Sequence, residues 1–422
     1  MSALWRLADL VAAIGGQVSG SPAEAVTGIS IDSRTLQPGE AFFAIRGDRF
    51  DGHDFVDKAI EAGAALAVVG ADWAAGAGRG SLPLVAVGDG PLAALERLAA
   101  ARRTRSGAAI AAITGSVGKT GTKEMLRAAL AGQGLVHAAV GSFNNHWGVP
   151  LSLARMPADA RFAIFEIGMN HAGEIRPLTG VVRPHVAIVT TVEAVHTEFF
   201  ASVEEIAEAK AEIFDGLEAG GTAILNRDNQ WYDLLRARAR ERGARIVGLG
   251  VRPEADLTGA VAALAGFRPP AGRGERFVLK HRGGAFILID ESYNANPASM
   301  SAALALLGQA RPGPSGRRIA VLGDMLELGA EAERLHASLL DPLRQAEADL
   351  VFLAGPLMKS LWRALPESCR GAYCETADAL APILCEQVRQ GDVVMVKASA
   401  GTRLKPLVEE MRRRFAPEVH AA

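Results

Sequence analysis

The segment Ile110–Leu126, IAAITGSVGKTGTKEML, gathers residue types suited to holding a phosphate. An apolar run ends at Thr114, glycines and a lysine–threonine pair follow, and then a helical pattern begins. At such a strand-to-helix turn, backbone N–H groups and the positive end of the helix dipole point at an anion. Gly115 and Gly118 let the backbone approach closely, and Ser116, Val117 and Gly121 complete the cradle. Lys119 is placed to reach the β- and γ-phosphates of a nucleotide, and the Thr120 hydroxyl to ligate Mg²⁺. The usual phosphate-loop spacing would put a glycine where Ile113 stands, so this loop is short. A purely structural glycine turn is the competing reading, and Lys-Thr at the helix start argues against it.

Three further side chains fit a charged, metal-assisted site. Glu166, in FEIGMNHAGEI (165–175), lies near the carboxyl end of an apolar strand, where ligands of parallel sheets bind. Burying a carboxylate there is costly unless it is paired or meets a cation. His196, in TTVEAVHTEFF (190–200), follows the next strand, and Lys210 sits in the helical IAEAKAEIF (206–214). Taken singly, each has an ordinary alternative: a salt-bridged Glu166, a loop histidine at His196, a surface lysine at Lys210.

Elements must hold these groups in place. Residues 110–114, 162–167, 186–190, 222–225 and 245–249 read as strands with helical patterns between them, Val203–Leu217 among these. Alternation of this kind predicts a parallel sheet covered on both faces. Upstream, AFFAI (41–45) and ALAVVG (65–70) are short apolar runs between glycine turns. Downstream, FVLKHRGGAFILID (277–290) reads as a hairpin turning at Gly283-Gly284. Alternation then resumes with strands at 319–323, 350–355 and 392–397, and GQARPGPSGRR (308–318) reads as a surface loop. The expected fold is α/β with three domains: residues 1–103, 104–272 and 273–422.

Composition narrows the class. Lys and Arg total 45 against 47 Asp and Glu, a net charge of −2, which asks for neither nucleic acid nor an anionic membrane. The basic runs at 236–242 and 412–414 fall in helical patterns and read as solvated faces. No apolar run reaches the ~18 residues of a membrane span, and no signal peptide is evident. Cys369, Cys374 and Cys385 form no metal spacing, and so sparse a count fits a reducing cytoplasm.

The loop TGSVGKT resembles the TG-x-x-GKT loop of the Mur ligase family, ATP-dependent enzymes that build the peptide of bacterial cell-wall precursors. Glu166, His196 and Lys210 follow it in the order that family uses. The resemblance implies that Thr120, Glu166 and His196 are Mg²⁺ ligands and that Lys210, in KAEI (210–213), is carbamylated. It also implies a UDP-binding first domain, a phosphate-loop ATPase centre and a Rossmann-like third domain. IDSR (31–34) matches the residues that meet the uridine nucleotide, Ser33 and Arg34 among them, and in GSFNNHWG (141–148) Asn144 and Asn145 match contacts to the UDP-sugar. DESYNANPASM (290–300) and LGDMLELG (322–329) are similar to the member that adds D-alanyl-D-alanine to UDP-N-acetylmuramoyl-tripeptide. By that resemblance Arg273 faces the γ-phosphate, and Asp290, Tyr293, Asn294 and Asn296 close over the nucleotide. Asp324 and Lys397 then serve the incoming dipeptide. The implied enzyme is cytoplasmic and monomeric, and proceeds through an acyl phosphate.

Two departures stand out. In KASAGTRL (397–404), Ala398 replaces a family glycine. A G-x-HN-x-x-N segment late in the family's central domain has no counterpart between Gly250 and Phe267, so adenine contacts there are expected to be incomplete. That gap keeps open a non-catalytic UDP-sugar binder, which would release no ADP. A folylpolyglutamate-type ligase is the other rival, and the DSR and DGHDF stretches argue against it.

Overall fold

The computed structural model describes residues 3–47, 49–141, 143–195, 197–250 and 269–416. His196 and the segment expected to be shortened, up to Arg268, lie outside the described residues. The chain divides into two compact bodies, residues 1–191 with 207–264 and residues 192–206 with 265–422.

The first body holds two main sheets, besides a two-stranded antiparallel pairing of Trp5–Arg6 with Ala25–Val26. The smaller comprises β1 (Gln17–Ser19), β2 (Gly28–Ser30), β3 (Glu40–Phe43), β4 (Leu66–Gly70) and β5 (Leu84–Val87), in the order β1-β5-β4-β3-β2. Only β1 runs antiparallel to its neighbour. Phe42, Phe43, Leu66 and Val68 are wholly buried, as strands covered on both faces must be. Helix α1 (Pro91–Arg105) then leads to the larger sheet. Its buried arginines tie the two together: Arg102 donates to Leu4 O at 2.7 Å and Arg103 to Val182 O at 2.8 Å.

The larger sheet comprises β6 (Ala109–Thr114), β7 (Val136–Ala138), β8 (Phe162–Glu166), β9 (Val186–Val189), β10 (Thr222–Asn226) and β11 (Arg245–Leu249). All six are parallel, in the order β11-β10-β9-β6-β8-β7. After β6 the chain builds first to one side and then to the other. The carboxyl end of β6 is therefore a switch point, where a crevice opens. Helix α2 (Lys119–Leu130) begins there.

The second body carries β12 (Glu275–His281), β13 (Gly284–Glu291), β14 (Arg318–Gly323), β15 (Leu350–Ala354), β16 (Arg370–Cys374) and β17 (Val393–Lys397), in the order β12-β13-β17-β14-β15-β16. The hairpin β12–β13 is antiparallel and the rest parallel. Apolar clusters cover both faces, one around Phe286, Phe352 and Met411, the other around Met300, Leu322 and Met395.

Two expectations shift in detail. The hairpin pairs His281 with Gly284, so its turn is Arg282-Gly283, with Gly283 supplying the positive φ of 81°. The helix expected over Val203–Leu217 is α-helical only through Ala211 and tightens to a 3₁₀ turn over Glu212–Gly216. The runs at 236–242 and 412–414 do lie on helices, and their arginines engage local partners, as in Arg238 with Glu208 at 2.7 Å.

Candidate functional site

The phosphate loop leaves β6 at Thr114 and bends at two glycines. Gly115 has φ 145°, and a Cβ there would fall 2.0 Å from Thr190 Oγ1; Gly118, at φ 88°, caps α2. Only glycine meets both demands. The strand β9 braces the loop from beneath: Thr190 Oγ1 donates to Val117 O at 2.6 Å, and Ser116 N donates to Thr191 O at 2.8 Å. Lys119 Nζ donates to Gly115 O at 2.6 Å, which folds the side chain over the loop.

Glu166 ends β8, where its register partner is Ile113 of β6, and it is only 2% exposed. Both of its oxygens are satisfied. Thr120 Oγ1 donates to Oε2 at 2.7 Å and Asn144 Nδ2 to Oε1 at 2.8 Å. The structure thus brings together Thr120 and Glu166, as the sequence predicted, and adds Asn144 to them. Asn145 acts differently: its Oδ1 accepts from the N–H of Gly148, the first residue of the helix Gly148–Ala154, at 2.9 Å.

Lys210 is 2% exposed, far from the surface lysine of its ordinary alternative. Burial, then the nearby charge of Lys119, holds its amine well below the usual lysine range, which favours the neutral form. The glutamate of KAEI is structural. Glu212 accepts from Gly173 N at 2.7 Å and Arg176 N at 3.1 Å, and so satisfies the open end of the helix Ile175–Val182.

Among the described residues no three His, Cys, Asp or Glu side chains converge as a metal cluster. The convergent donors are the Thr120 hydroxyl and the Glu166 carboxylate, hard oxygens of the kind Mg²⁺ takes when substrate phosphates and water supply the rest. The residues present fit that ion.

The Asp32–Arg34 loop leaves β2, also at a carboxyl end. Arg34 is exposed and forms a paired contact with Asp32, NH2 to Oδ2 at 2.7 Å. Nearby, Asp51 accepts from His53 N at 3.0 Å and from the ring Nδ1 at 2.6 Å, while His53 Nε2 accepts from Gly70 N at 2.9 Å. These contacts order the DGHDF turn.

In the second body, Lys397 ends β17 and is 3% exposed. It donates to Glu291 Oε2 at 3.2 Å and to Asn294 O at 3.0 Å. Asn296 caps the helix Pro297–Gln309 by accepting from Ser299 N at 2.9 Å, in a reciprocal capping box. Asp324 is buried and accepts from Met358 N at 3.0 Å; burial pushes its pKa above the usual carboxylate range. Asp290 accepts from Ser292 N at 3.0 Å. The Arg273 guanidinium lies 4.2 Å from the Tyr293 ring centre. Ala398 is wholly buried, and a Cβ on Gly323 would come within 2.7 Å of its methyl, so this corner admits only small residues.

Sequence reasoning missed three members of this arrangement. Thr190 braces the loop, Asn229 Nδ2 donates to Thr191 Oγ1 at 2.9 Å, and Lys123 is a wholly buried residue of α2. A threonine pair closing an apolar strand was a usable signal for Thr190. A lysine flanked by Thr122 and Glu124 gave none for Lys123.

Three family models cover most of the chain: the Mur ligase family catalytic domain at 25–79, the Mur ligase middle domain at 113–266, and the Mur ligase glutamate ligase domain at 272–400. The chain belongs to the Mur ligase family. It is 30% identical to the UDP-N-acetylmuramoyl-tripeptide--D-alanyl-D-alanine ligase of Rickettsia prowazekii, over 96% of this chain and 99% of that one. That alignment runs over 459 positions, more than the 422 residues here, so the relative has residues this chain lacks. The crystal structure of MurF from Acinetobacter baumannii superposes with a TM-score of 0.81 at 25% identity, covering 97% of this chain and 99% of that one. MurF ligase from Thermotoga maritima, solved in complex with ADP, shares the fold with a TM-score of 0.73 at 23% identity, covering 92% and 98%. Among the described residues no helix is long and apolar enough to cross a membrane.

Proposed function

We propose that this chain is an ATP-dependent, ADP-forming carbon–nitrogen ligase that joins D-alanyl-D-alanine to UDP-N-acetylmuramoyl-tripeptide in the cytoplasmic synthesis of peptidoglycan. The observation that carries this reading is the relationship to ligases of that name over nearly the whole of both chains. The convergence of Thr120, Glu166 and Asn144 beside the phosphate loop supports it. Residues 1–103 take the UDP-sugar, 104–272 the ATP and 273–422 the dipeptide.

The terminal carboxylate of the tripeptide attacks the γ-phosphorus and ADP leaves. The amine of the dipeptide then attacks the acyl carbon, loses a proton and expels phosphate, forming the amide. Mg²⁺, when bound, supplies charge neutralisation at the phosphates. Thr120 and Glu166 would hold it, with His196 assigned to the same set by resemblance. Gly115, Ser116, Val117, Gly118 and Gly121 present backbone to the phosphates, and phosphate oxygens replace Gly115 O as the partner of Lys119. Its charge then lies where negative charge gathers in the transition state. Arg273 belongs to the other body, and its role rests on the resemblance, as do those of Asn294, Asn296, Asp324 and Lys397.

Lys210 becomes a carbamate in this account. Its neutral amine adds to CO₂, forming an N–C bond and releasing a proton, and becomes an anion with oxygen donors. The buried setting that suppresses the protonated amine is what leaves a lone pair for that addition.

The test is ADP release from the purified chain. Multiple-turnover release is expected only when the UDP-linked tripeptide and the dipeptide are both present, and a UDP-sugar binder would release none.

A further inference from the structure

Lys123 lies one turn beyond Lys119 on α2, and its side chain is wholly buried. Its Nζ donates to Ala139 O at 2.6 Å and to Gly141 O at 2.8 Å, and stands 3.3 Å from Glu124 Oε1. A buried amine is costly unless its donors are met, and here two carbonyls and a carboxylate meet them. Those two carbonyls open the segment that carries Asn144. Asn144 Nδ2 holds Glu166 Oε1, its backbone O accepts from Gly168 N at 2.8 Å, and Glu166 Oε2 takes the Thr120 hydroxyl. Helix α2 thus grips one segment twice, directly through Lys123 and indirectly through Thr120, Glu166 and Asn144. The polar contacts close a ring. There is little slack in it: a Cβ on Gly168 would come within 3.0 Å of the Asn144 carboxamide.

We propose that Lys123 is a positioning residue, which fixes Ala139 and Gly141 against the nucleotide helix so that Asn144, three residues on, orients Glu166. Lys123 itself touches no reacting atom. The proposal rests on the reading of Glu166 and of the phosphate loop given above. Removing the amine leaves Ala139 O and Gly141 O without their donor, and the segment then moves to find water. Asn144 moves with it, and one oxygen of Glu166 is released.

The test is Lys123→Met in the full chain, a substitution that keeps length and apolar bulk. Affinity for a non-hydrolysable ATP analogue stays within about threefold, because the loop backbone is untouched. For the UDP-linked tripeptide, KM rises about tenfold and kcat falls about tenfold, since both ground-state contacts and orientation are lost. Amide exchange over Phe143–Asn145 quickens at least about tenfold, while Gly115–Thr120 keeps its protection. A purely structural lysine would lower the melting temperature and leave KM, kcat and the local exchange alone. That result, in a variant that unfolds cooperatively, overturns the proposal.

Should Lys123→Met fail to fold, the unmodified chain decides. Adding the ATP analogue alone is expected to slow exchange at Phe143–Asn145 along with Gly115–Thr120, by at least about fivefold, the lower end of ordinary site-to-site coupling. Slowing at Gly115–Thr120 only overturns the role of Lys123 and leaves the nucleotide site standing. Slowing at neither overturns both.

Discussion

Two loops of the first body leave the carboxyl ends of parallel strands, and they are built oppositely. The phosphate loop is held by the protein's own side chains and backbone. Thr190 and Thr191 hold its backbone, and Thr120 and Asn144 saturate Glu166 in a buried setting. The Asp32–Arg34 loop is open: Arg34 is 80% exposed at its side chain, and its recorded partner is the neighbouring Asp32. The difference separates chemistry from capture. Preorganised donors act where charge develops, whereas an exposed arginine contributes binding that is equal in the ground and transition states.

The largest effect is expected from the first loop. Lys119→Ala should lower turnover by about 100- to 1,000-fold, the usual cost of losing one preorganised contact to developing charge. Binding of the UDP-linked substrate, measured by calorimetry, should stay close to that of the unmodified chain. Near-normal turnover would erase the contrast between the loops.

Lys210→Ala should be comparably inactive, and added bicarbonate should not restore it. Short carboxylic acids should return part of the activity by standing in for the carbamate oxygens. A mass spectrum of active enzyme with an unmodified Lys210 would count against the carbamate while leaving the comparison intact.

Arg34→Ala sharpens the other side. KM for the UDP-linked substrate should rise about tenfold with kcat nearly unchanged, as loss of uniform binding requires. If turnover fell while affinity held, the open loop would be part of the chemistry.

A further effect concerns stability rather than turnover. Burial, partly offset by the hydrogen bond to Ser152, lowers His137 to about 4. In the unfolded chain the group titrates near 6.5, so between about pH 6.5 and 4 the unfolded state binds more protons, and stability falls with falling pH. This one group should cost about 2.5 kcal/mol by pH 4.5, and His137→Gln should flatten that part of the pH–stability curve. An unchanged slope in denaturant titrations would refute the assignment.

Much of this was legible in the sequence because it is local. The strands at 110–114, 186–190 and 245–249 lie where apolar β-branched runs put them, and the loop between Thr114 and Lys119 declares itself by glycine and charge. Strand order was not legible, because parallel neighbours are chosen by packing across whole helices. Some motif residues proved to have local structural duties. Asn296 with Ser299 spells a capping box, a pattern visible beforehand, and Asn145 accepts from the first N–H of the next helix. Glu212, in the KAEI stretch, satisfies a helix end thirty-odd residues upstream, which spacing alone does not reveal. Lys123 is the extreme case: its acceptors are carbonyls, and backbone carbonyls leave no trace in residue identity.

The account turns on a bond between the tripeptide carboxylate and the γ-phosphorus. It is tested most directly by labelling that carboxylate with ¹⁸O and running one turnover with ATP and D-alanyl-D-alanine. Attack by a carboxylate oxygen leaves it on phosphorus when the amine expels phosphate from the acyl carbon. The account predicts one ¹⁸O atom in each phosphate released. Unlabelled phosphate, with amide product formed, would contradict it.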